Sequence, residues 1–478
     1  KFSDKLNMTV VIKKGSELNL TIDSLSYGGK GISRHNGIVI FTNNVLPGQK
    51  VKAKIIKKKK SYLEAIPIEI IKESPFKQKE QCNHFYDCGG CKTQDLKYEE
   101  QISQKENQVI EALNYLGKLN VKKIEPIIKS DTIYEYRNKM EFSFSNSRWL
   151  INNEKGLKNE KPKDFALGLH PPRRFDKIVD IDNCEIQTKL ANKILALIKK
   201  ESIKNELCPY DIINHIGFIR NVVIKHPKYS NQVMINIITA YKDDKLLIPI
   251  VDKLKKLSPN IKSIINTIND KKSDSAYGMP QNLLYGENFI VEYLNEFEFE
   301  ISADSFFQTN SIQALNMYEY VRDECKLSGS EIIYDFYCGT GTISIFVAKN
   351  AKKVYGFEIV ESAIKDANKN ALKNKVNNTE FYCGDLSKML KNYNNIIEKN
   401  PCDVLILDPP RAGLHPKTLK EILKINPKKI IYVSCNPTTQ ARDVREFINS
   451  NYIMGKVQPI DMFPHTHHIE CVITLDQK

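Results

Sequence analysis

Apolar and polar side chains alternate in short runs along residues 8–70, which is the period of strands with one face buried. Turn-forming pairs at Gly28-Gly29, Asn43-Asn44 and Pro47-Gly48 separate the runs. This pattern predicts a small, OB-like β-barrel at the N-terminus. Its predicted strands are Glu17–Ile22, Gly37–Phe41, Lys50–Ile56 and Ser61–Ile66.

A polar stretch from Pro75 to Gln81 is suited to a linker and predicts a domain boundary near residue 75. From there, residues 80–300 mix helical and strand periods, which predicts an α+β central domain. Its polar segment Asn146–Lys163 is predicted to be a loop. The predicted helices are Tyr98–Leu116, Gln187–Lys199 and Asp244–Lys256, and the predicted strands are Lys139–Phe144, Val222–His226, Gln232–Thr239 and Ser263–Thr267.

Residues 301–478 alternate regularly between helical and strand patterns. This spacing predicts a C-terminal α/β domain, a doubly wound and mostly parallel Rossmann-like sheet. The predicted strands are Ile332–Phe336, Lys353–Phe357, Thr379–Cys383, Asp403–Leu407 and Lys429–Ser434, and the predicted helices are Ser311–Cys325, Thr342–Asn350, Glu361–Asn374 and Pro416–Lys424.

The length of 478 residues suggests two to four domains. The apolar runs are short, so a membrane partner is not expected. The first ten residues lack the apolar core of a secretory signal, and we therefore expect a cytoplasmic protein with reduced cysteines. A monomer is expected.

Positive charge is concentrated near the N-terminus. The chain has 71 Lys and Arg against 57 Asp and Glu, a net charge of +14. Residues 1–80 hold 16 basic and 7 acidic side chains, and Lys57–Lys60 lies between two predicted strands. This asymmetry indicates a polyanionic partner that contacts the barrel. The alternatives are a solvated hairpin tip and a lysine-rich composition inherited from an AT-rich genome.

Acidic side chains follow the strands of the predicted doubly wound sheet, where such sheets bind ligands. Residues 335–341 read DFYCGTG and lack the G-x-G-x-x-G of dinucleotide sites. An acidic first loop suits the cationic sulfonium of S-adenosylmethionine. Glu358 is placed to accept both ribose hydroxyl protons and Asp385 to reach the adenine edge. The sequence therefore predicts S-adenosylmethionine as the cofactor.

The next two strands end in Asp408-Pro-Pro-Arg411 and in Ser434-Cys435-Asn436-Pro437. A thiolate at this edge can add to carbon 6 of uracil and so activate carbon 5 for methylation. The adduct must then lose its carbon 5 proton to a base. Cys435 is the predicted nucleophile, and Glu470, which opens a C-terminal strand, is the predicted base. His465, His467 and His468 precede it without a recognisable metal-ligand spacing.

Two other functions compete with this interpretation. An exocyclic-amine methyltransferase would use the DPP turn but would not need a thiol. A non-catalytic RNA-binding or assembly factor would need none of Asp335, Cys435 and Glu470.

The motifs SFFQTN, DFYCGTG, DPPRAG, VSCNP and HHIE stand in the order found in the RNA uracil-5-methyltransferase family, which the chain resembles over nearly its whole length. The resemblance implies that a specific uridine is methylated, with 23S ribosomal RNA as the expected substrate and transfer RNA as the alternative. It also implies that residues 8–70 form an RNA-binding TRAM domain. The residues implied to contact the cofactor or target base are Gln308, Tyr337, Thr342, Glu358, Asp385 and Asp408.

Cys82, Cys88 and Cys91 form a C-x5-C-G-G-C cluster, and Cys184 is a distant fourth cysteine. Four thiolates can close a zinc site or hold an iron–sulfur cluster. Three ligands in one loop plus one distant ligand favour a [4Fe–4S] cluster over zinc or no metal. Several members of the resembled family carry such a cluster, and all four positions match. Its expected role is architectural.

Overall fold

The N-terminal alternation folds into a six-stranded sheet in the order β1-β5-β6-β4-β3-β2. The computed structural model describes residues 12–151 and 162–478, so residues 8–11 of the predicted barrel lie outside the described residues. Ile40, Val51, Ala53 and Ala65 lie fully buried in its core. The strands are β1 (Glu17–Thr21), β2 (Ser24–Leu25), β3 (Gly31–His35), β4 (Ile38–Thr42), β5 (Lys50–Lys58) and β6 (Tyr62–Lys72).

All four predicted runs are confirmed as strands, whereas β2 and β3 were missed. Lys57 and Lys58 belong to β5, and only Lys59 and Lys60 lie at the turn. Lys57 pairs with Glu64 at 3.3 Å, and Lys58 Nζ donates to a backbone carbonyl at 2.9 Å. The two exposed lysines of the turn are therefore the better candidates for contact with a polyanion.

The chain divides into two compact units, and the first division, after Glu80, lies within the predicted linker Pro75–Gln81. One unit runs to Glu80 and also contains Lys92–Gln108, and the other contains Gln81–Cys91 and Val109–Lys478. Within the first unit, the backbone N–H of Leu25 donates to Gln104 Oε1 at 2.7 Å, and its carbonyl accepts Gln108 Nε2 at 3.0 Å. These bonds attach the middle of a helix, α1 (Tyr98–Glu111), to the barrel.

The second unit contains a seven-stranded sheet in the order β13-β12-β11-β10-β7-β8-β9, which we call the central sheet. Two helices, α2 (Lys189–Lys204) and α3 (Asp244–Leu257), begin at the N-caps Thr188 and Asp243. The strands are β7 (Lys139–Ser145), β8 (Ala166–Leu169), β9 (Val179–Asp180), β10 (Ile219–Lys225), β11 (Val233–Thr239), β12 (Ile261–Ile268) and β13 (Gln281–Gly286).

The predicted helices and strands of this region are confirmed, with shifted ends. A five-residue π-helix, Ala112–Leu116, continues α1. The structure adds β8, β9, β13 and a hairpin of β14 (Phe289–Leu294) and β15 (Phe297–Ser302). Residues 152–161 of the predicted loop lie outside the described residues.

The C-terminal sheet has the order β18-β17-β16-β19-β20-β22-β21. Its first five strands are parallel, and β22 is antiparallel to both of its neighbours. This confirms the predicted doubly wound architecture. The strands are β16 (Ile332–Phe336), β17 (Lys353–Glu358), β18 (Thr379–Cys383), β19 (Val404–Leu407), β20 (Lys429–Ser434), β21 (Tyr452–Ile460) and β22 (Glu470–Gln477).

Helices cover both faces of this sheet in the doubly wound pattern. They are α4 (Ser311–Cys325), α5 (Thr342–Ala348), α6 (Glu361–Lys373), α7 (Met389–Lys399), α8 (Pro416–Ile425) and α9 (Pro437–Ser450). The sequence prediction omitted α7, α9 and β21. Within the described ranges, no helix is both long and apolar enough to cross a membrane.

The topology of the last strands determines which residues meet. The parallel strands β16 to β20 all end at one edge of the sheet, whereas the antiparallel β22 begins there. In the β20–β22 register, Ser434 pairs with Cys471. Cys435, one residue after β20, therefore lies beside Glu470, the first residue of β22.

Candidate active site

Asp335 lies near the end of β16 and is completely buried. Ser344 Oγ donates to its Oδ2 at 2.6 Å, while its Oδ1 is buried without a hydrogen-bond partner among the described residues. Burial raises the pKa of Asp335 to about 7, and the neighbouring Asp408 carboxylate adds to the shift. A buried carboxylate oxygen without a hydrogen-bond partner among the described residues suits a cationic ligand.

Glu358 ends β17, and backbone donors fix its carboxylate. Its Oε2 accepts Gly339 N–H at 3.2 Å, and its Oε1 accepts the N–H groups of Ile359 at 2.8 Å and Val360 at 3.0 Å. Oε1 already accepts two hydrogen bonds, whereas Oε2 can still accept a further one. The side chain is thus oriented in advance to accept a hydroxyl proton.

The glycines of the loop after β16 leave room beside that carboxylate. Gly339 has φ +53°, and a Cβ built on it would meet no atom within 4 Å. Gly341 has φ +76°, and a Cβ there would come within 2.9 Å of Ala367 and Phe381. The first glycine therefore opens space for a ligand, and the second allows α5 to begin close to its neighbours.

Three other predicted cofactor residues lie at this edge, two on loops and one at the start of a helix. Tyr337 has φ +66° and a phenol whose pKa burial raises. Thr342 is buried at the start of α5, with its Oγ1 3.3 Å from Thr340 Oγ1. Asp385 follows β18 and accepts Ser387 N–H at 2.9 Å, a bond that lowers its pKa. Their roles remain predictions.

The structure brings Cys435, Glu470 and Asp408 together. Burial raises the pKa of the Cys435 thiol to about 11, and the nearby Glu470 and Asp408 carboxylates add to the shift. Burial also raises the pKa of Asp408 to about 7 and places that of Glu470 well above its usual range. Burial therefore favours the protonated form of each of these groups.

Arg411, from the loop after β19, opposes these shifts. Its guanidinium hydrogen-bonds the Cys435 side chain and lowers the pKa of both Cys435 and Glu470. Asn436 Nδ2 donates to the Arg411 carbonyl at 3.0 Å, as does Thr439 Oγ1 at 3.2 Å. The loops after β19 and β20 are thus joined. The DPPR motif contains Arg411, but no pattern in the sequence indicated that it contacts the thiol.

The histidines before β22 take part in ring packing. His465 is completely buried and stacks on Tyr134, with ring centroids 4.4 Å apart. The rings of His467 and His468 lie 4.2 Å apart. Tyr136 Oη donates to the Pro464 carbonyl at 3.0 Å, which attaches this turn to the segment before β7.

Gln308 lies on the segment between β15 and α4, and two residues, one at the end of β10 and one just before β7, hold that segment in place. Lys225 Nζ, at the end of β10, donates to the carbonyls of Ser302, Ala303 and Ser305 at 2.6, 2.9 and 3.1 Å. Asn138 Nδ2 donates to the Gln308 carbonyl at 3.0 Å.

Sequence analysis missed this role of Lys225 and Asn138. Lys225 is only 4% exposed, and burial lowers its pKa to about 7. The one local signal was a lysine that ends an otherwise largely apolar strand.

The four predicted metal ligands lie near one another in the second unit. Burial raises the pKa of Cys184 to about 12, and Cys91, Cys88 and Cys82 raise it further. Gly90 N–H donates to Cys88 Sγ at 3.3 Å. However, no group of three or more His, Cys, Asp or Glu side chains in residues 12–151 and 162–478 is arranged to hold a metal ion. The metal site predicted from the sequence is therefore not confirmed.

Comparison with known proteins gives consistent results for both ends of the chain. A family model described as tRNA (uracil-5-)-methyltransferase matches residues 276–478, and the TRAM domain model matches residues 12–68. The second match confirms the predicted TRAM domain.

Similar proteins extend the match to nearly the full length. An uncharacterized RNA methyltransferase of Chlorobaculum tepidum is 36% identical over 469 residues, 97% of each chain. One of Bacteroides thetaiotaomicron is 38% identical over 451 residues, 94% of this chain and 99% of that protein. A solved structure, Pyrococcus abyssi tRNA (uracil-54, C5)-methyltransferase in complex with S-adenosyl-L-homocysteine, shares 28% identity with a TM-score of 0.73, covering 96% of this chain and 100% of that one. The chain belongs to the RNA uracil-5-methyltransferase family.

Proposed function

We propose that this protein transfers a methyl group from S-adenosylmethionine to carbon 5 of a uridine in RNA. The observation that carries the proposal is a cysteine, Cys435, beside a buried carboxyl group, Glu470, at the ligand-binding edge of a doubly wound sheet. An exocyclic-amine methyltransferase would need neither group. A non-catalytic RNA-binding factor would not need to bury three ionisable side chains together.

The carboxylates at this edge of the C-terminal sheet also fit S-adenosylmethionine, the proposed cofactor. Asp335 offers a buried carboxylate oxygen without a partner among the described residues, and Glu358 a carboxylate already oriented by backbone donors. A Cβ built on Gly339 would meet no atom within 4 Å, so the loop after β16 leaves open space at this residue. When bound, S-adenosylmethionine supplies an electrophilic methyl group on a cationic sulfur. Its positive charge would lower the pKa values of the nearby carboxyl groups.

The proposed reaction has three steps, in which Cys435 and Glu470 act on the uracil. The Cys435 thiolate adds to carbon 6 of the uracil, and the electron pair of the carbon 5–carbon 6 double bond forms an enolate. Carbon 5 then takes the methyl group, with S-adenosylhomocysteine as the leaving group. Glu470, as the carboxylate, removes the carbon 5 proton, and the double bond re-forms as the thiolate departs. Arg411 favours the thiolate at the start and at the end.

The substrate can be identified from the modified nucleoside. We expect the purified protein, incubated with tritiated S-adenosylmethionine and either 23S ribosomal RNA or transfer RNA, to label one of these RNAs. Nuclease digestion and chromatography should place the label in 5-methyluridine. Label in an N-methylated adenosine, cytidine or guanosine would contradict the proposal. Ribosomal RNA is our expected substrate, and labelling of transfer RNA alone would correct that part.

The reaction should become faster as pH rises, because only the thiolate attacks. The raised pKa of Cys435 places thiolate formation above neutral pH, and Arg411 lowers that pKa. Replacement Arg411→Gln should therefore shift the rising limb of the single-turnover rate to higher pH, with a loss at pH 7 that is partly recovered at pH 9. Arg445→Gln, on α9, serves as the control. An equal loss at every pH would assign Arg411 to binding rather than to the pKa of the thiol.

The proposal includes a [4Fe–4S] cluster on Cys82, Cys88, Cys91 and Cys184. The other three cysteines lie close enough to Cys184 to raise the pKa of its thiol, which supports the cluster, although the described side chains are not arranged as a metal site. We expect anaerobically purified protein to be brown and to contain about four irons per chain. Cys184→Ser should lose this iron, while Cys208→Ala, at an exposed cysteine, should retain it. Stoichiometric zinc without iron would refute the cluster.

A further inference from the structure

A polar cleft lies on the central sheet, and no part of the chemistry above uses it. Its empty volume is about 320 Å³, and its lining includes Ser143, His170, Phe175, Tyr210 and Arg220. All of these residues belong to the second unit. Its mixture of aromatic rings and hydrogen-bonding groups suits a small planar ligand.

Arg220 gives the cleft a rigid wall, in which its guanidinium pairs with Asp274, another lining residue, at 3.3 Å. Its side chain is 1% exposed, and its guanidinium carbon lies 4.1 Å from the centre of the Tyr210 ring. Its Nη1 and Nη2 donate to the carbonyls of Asn269 at 2.8 Å and Ser273 at 3.0 Å. Its Nε, also buried, has no hydrogen-bond partner among the described residues.

Phe175 is 73% exposed at the same cleft. Its loop is stiff, because two prolines precede it and Arg174 pairs with Asp176 through bonds of 2.7 and 2.5 Å. A large aromatic ring that a rigid loop keeps exposed to solvent is available for stacking. Little side-chain entropy would be lost when a planar partner stacks on it.

The charges around Phe175 favour an anionic partner. Residues 170–177 read HPPRRFDK, with three basic side chains, Arg173, Arg174 and Lys177, against one acidic side chain. His170 Nδ1 lies 3.1 Å from the Lys177 carbonyl, so the neutral ring donates through Nδ1 and keeps Nε2 as an acceptor. A phosphate backbone beside Phe175 would match this loop, and a base in the cleft would meet both donors and acceptors.

The cleft lies along the same strands that position Gln308. In the β7–β10 ladder, Ser143 pairs with Asn221 and Lys139 pairs with Lys225, the residue that holds the Gln308 segment. Four residues of antiparallel strand span roughly 14 Å. A chain of a few nucleotides can bridge that separation.

We propose that this cleft binds an unpaired nucleobase of the substrate RNA, stacked on Phe175, a few nucleotides from the methylated base. The inference rests on the proposed RNA substrate but not on the chemistry at Cys435. Aromatic side chains beside basic groups are the usual platforms for unstacked RNA bases. A second base held at a fixed distance would restrict which uridine reaches the active site.

The test uses the full chain and the shortest RNA fragment that the wild-type protein methylates. Phe175→Ala should weaken RNA binding roughly 5- to 100-fold, as loss of one base stack does. The KM for RNA should rise, while kcat and S-adenosylmethionine binding stay unchanged. Phe175→Tyr should restore the affinity. Tyr115→Ala, at a ring that is 71% exposed elsewhere in the second unit, should have no effect.

Salt dependence separates stacking from phosphate binding. Phe175→Ala should leave the slope of log affinity against log salt unchanged, because it removes no charge. The double substitution Lys59→Ser and Lys60→Ser, at the barrel turn, should reduce that slope by roughly 0.7–0.9 for each phosphate that is no longer neutralised. A changed slope in the Phe175→Ala variant would indicate a loop that binds phosphate only, and would overturn the stacking proposal.

Abasic RNAs then identify the base. One abasic position near the methylated uridine should weaken wild-type binding as much as Phe175→Ala does, and should have no further effect on that variant. Additive losses at every position, or unchanged RNA affinity of Phe175→Ala, would overturn the proposal. Because binding is measured directly, this result is independent of whether the product is 5-methyluridine.

Discussion

Replacement of Cys435 with alanine should lower the rate of RNA methylation by roughly 10³-fold or more, because a covalent route without its nucleophile has no comparable substitute. The thiol lies beside Glu470 and Asp408 and receives a hydrogen bond from Arg411, so the site is built around it. Binding of S-adenosylmethionine should remain intact, since the acidic residues at the ends of β16 and β17 are unchanged. A filter-binding methylation assay and calorimetry together measure both quantities.

The covalent step itself can be observed with RNA that contains 5-fluorouridine. Fluorine replaces the carbon 5 proton, so Glu470 has nothing to remove and the methylated adduct should persist on denaturing gels. The Cys435→Ala variant should form no such adduct. Cys208→Ala, at an exposed cysteine of the central region, should form it like the wild type. Full methylation by the Cys435→Ala variant would exclude the mechanism.

Replacement of Glu470 with glutamine should stop the reaction after methyl transfer. The amide keeps nearly the same volume at a position that is only 5% exposed, but it cannot accept the carbon 5 proton. We expect turnover to fall about 10²- to 10⁴-fold, which is the usual contribution of a general base. Methylated RNA should accumulate on the protein, and mass spectrometry should find about one RNA per chain linked through Cys435.

This accumulation separates a base from a merely structural carboxyl group. If Glu470 served only to support the fold, the glutamine variant would lose adduct and product together. Glu446→Gln, at an exposed position of α9, controls for the loss of one carboxylate in the same domain. A Glu470→Gln variant with normal turnover and no trapped RNA would show that another group removes the proton.

The architecture of the C-terminal domain could be predicted because its signals are local. Each predicted strand there is confirmed by β16 to β20, and Glu470 does open β22. Apolar runs of strand length between amphipathic helices leave few other arrangements. The acidic residues after these strands could be named for the same reason, since parallel strands present their carboxyl ends at one edge.

Weaker local signals explain the elements that were missed. Strands β2 and β9 are only two residues long, which is too short for a period to be recognised. The later divisions, which return part of the chain to the first unit, were not predicted either. Lys92–Gln108 belongs with the barrel because Gln104 and Gln108 satisfy the backbone of Leu25. Bonds between residues so far apart in the chain leave no periodic trace in the sequence.

The sequence by itself determined the types of chemical groups in this protein: a thiol, a set of carboxylates at strand ends and a basic barrel. Only the tertiary structure decided which of them meet. The antiparallel entry of β22 beside β20 places Glu470 next to Cys435, and the hydrogen bonds of Lys225 attach the segment that carries Gln308 to the central sheet. Side-chain periods report which face of an element is buried, but pairing between distant elements depends on the packing of the whole domain.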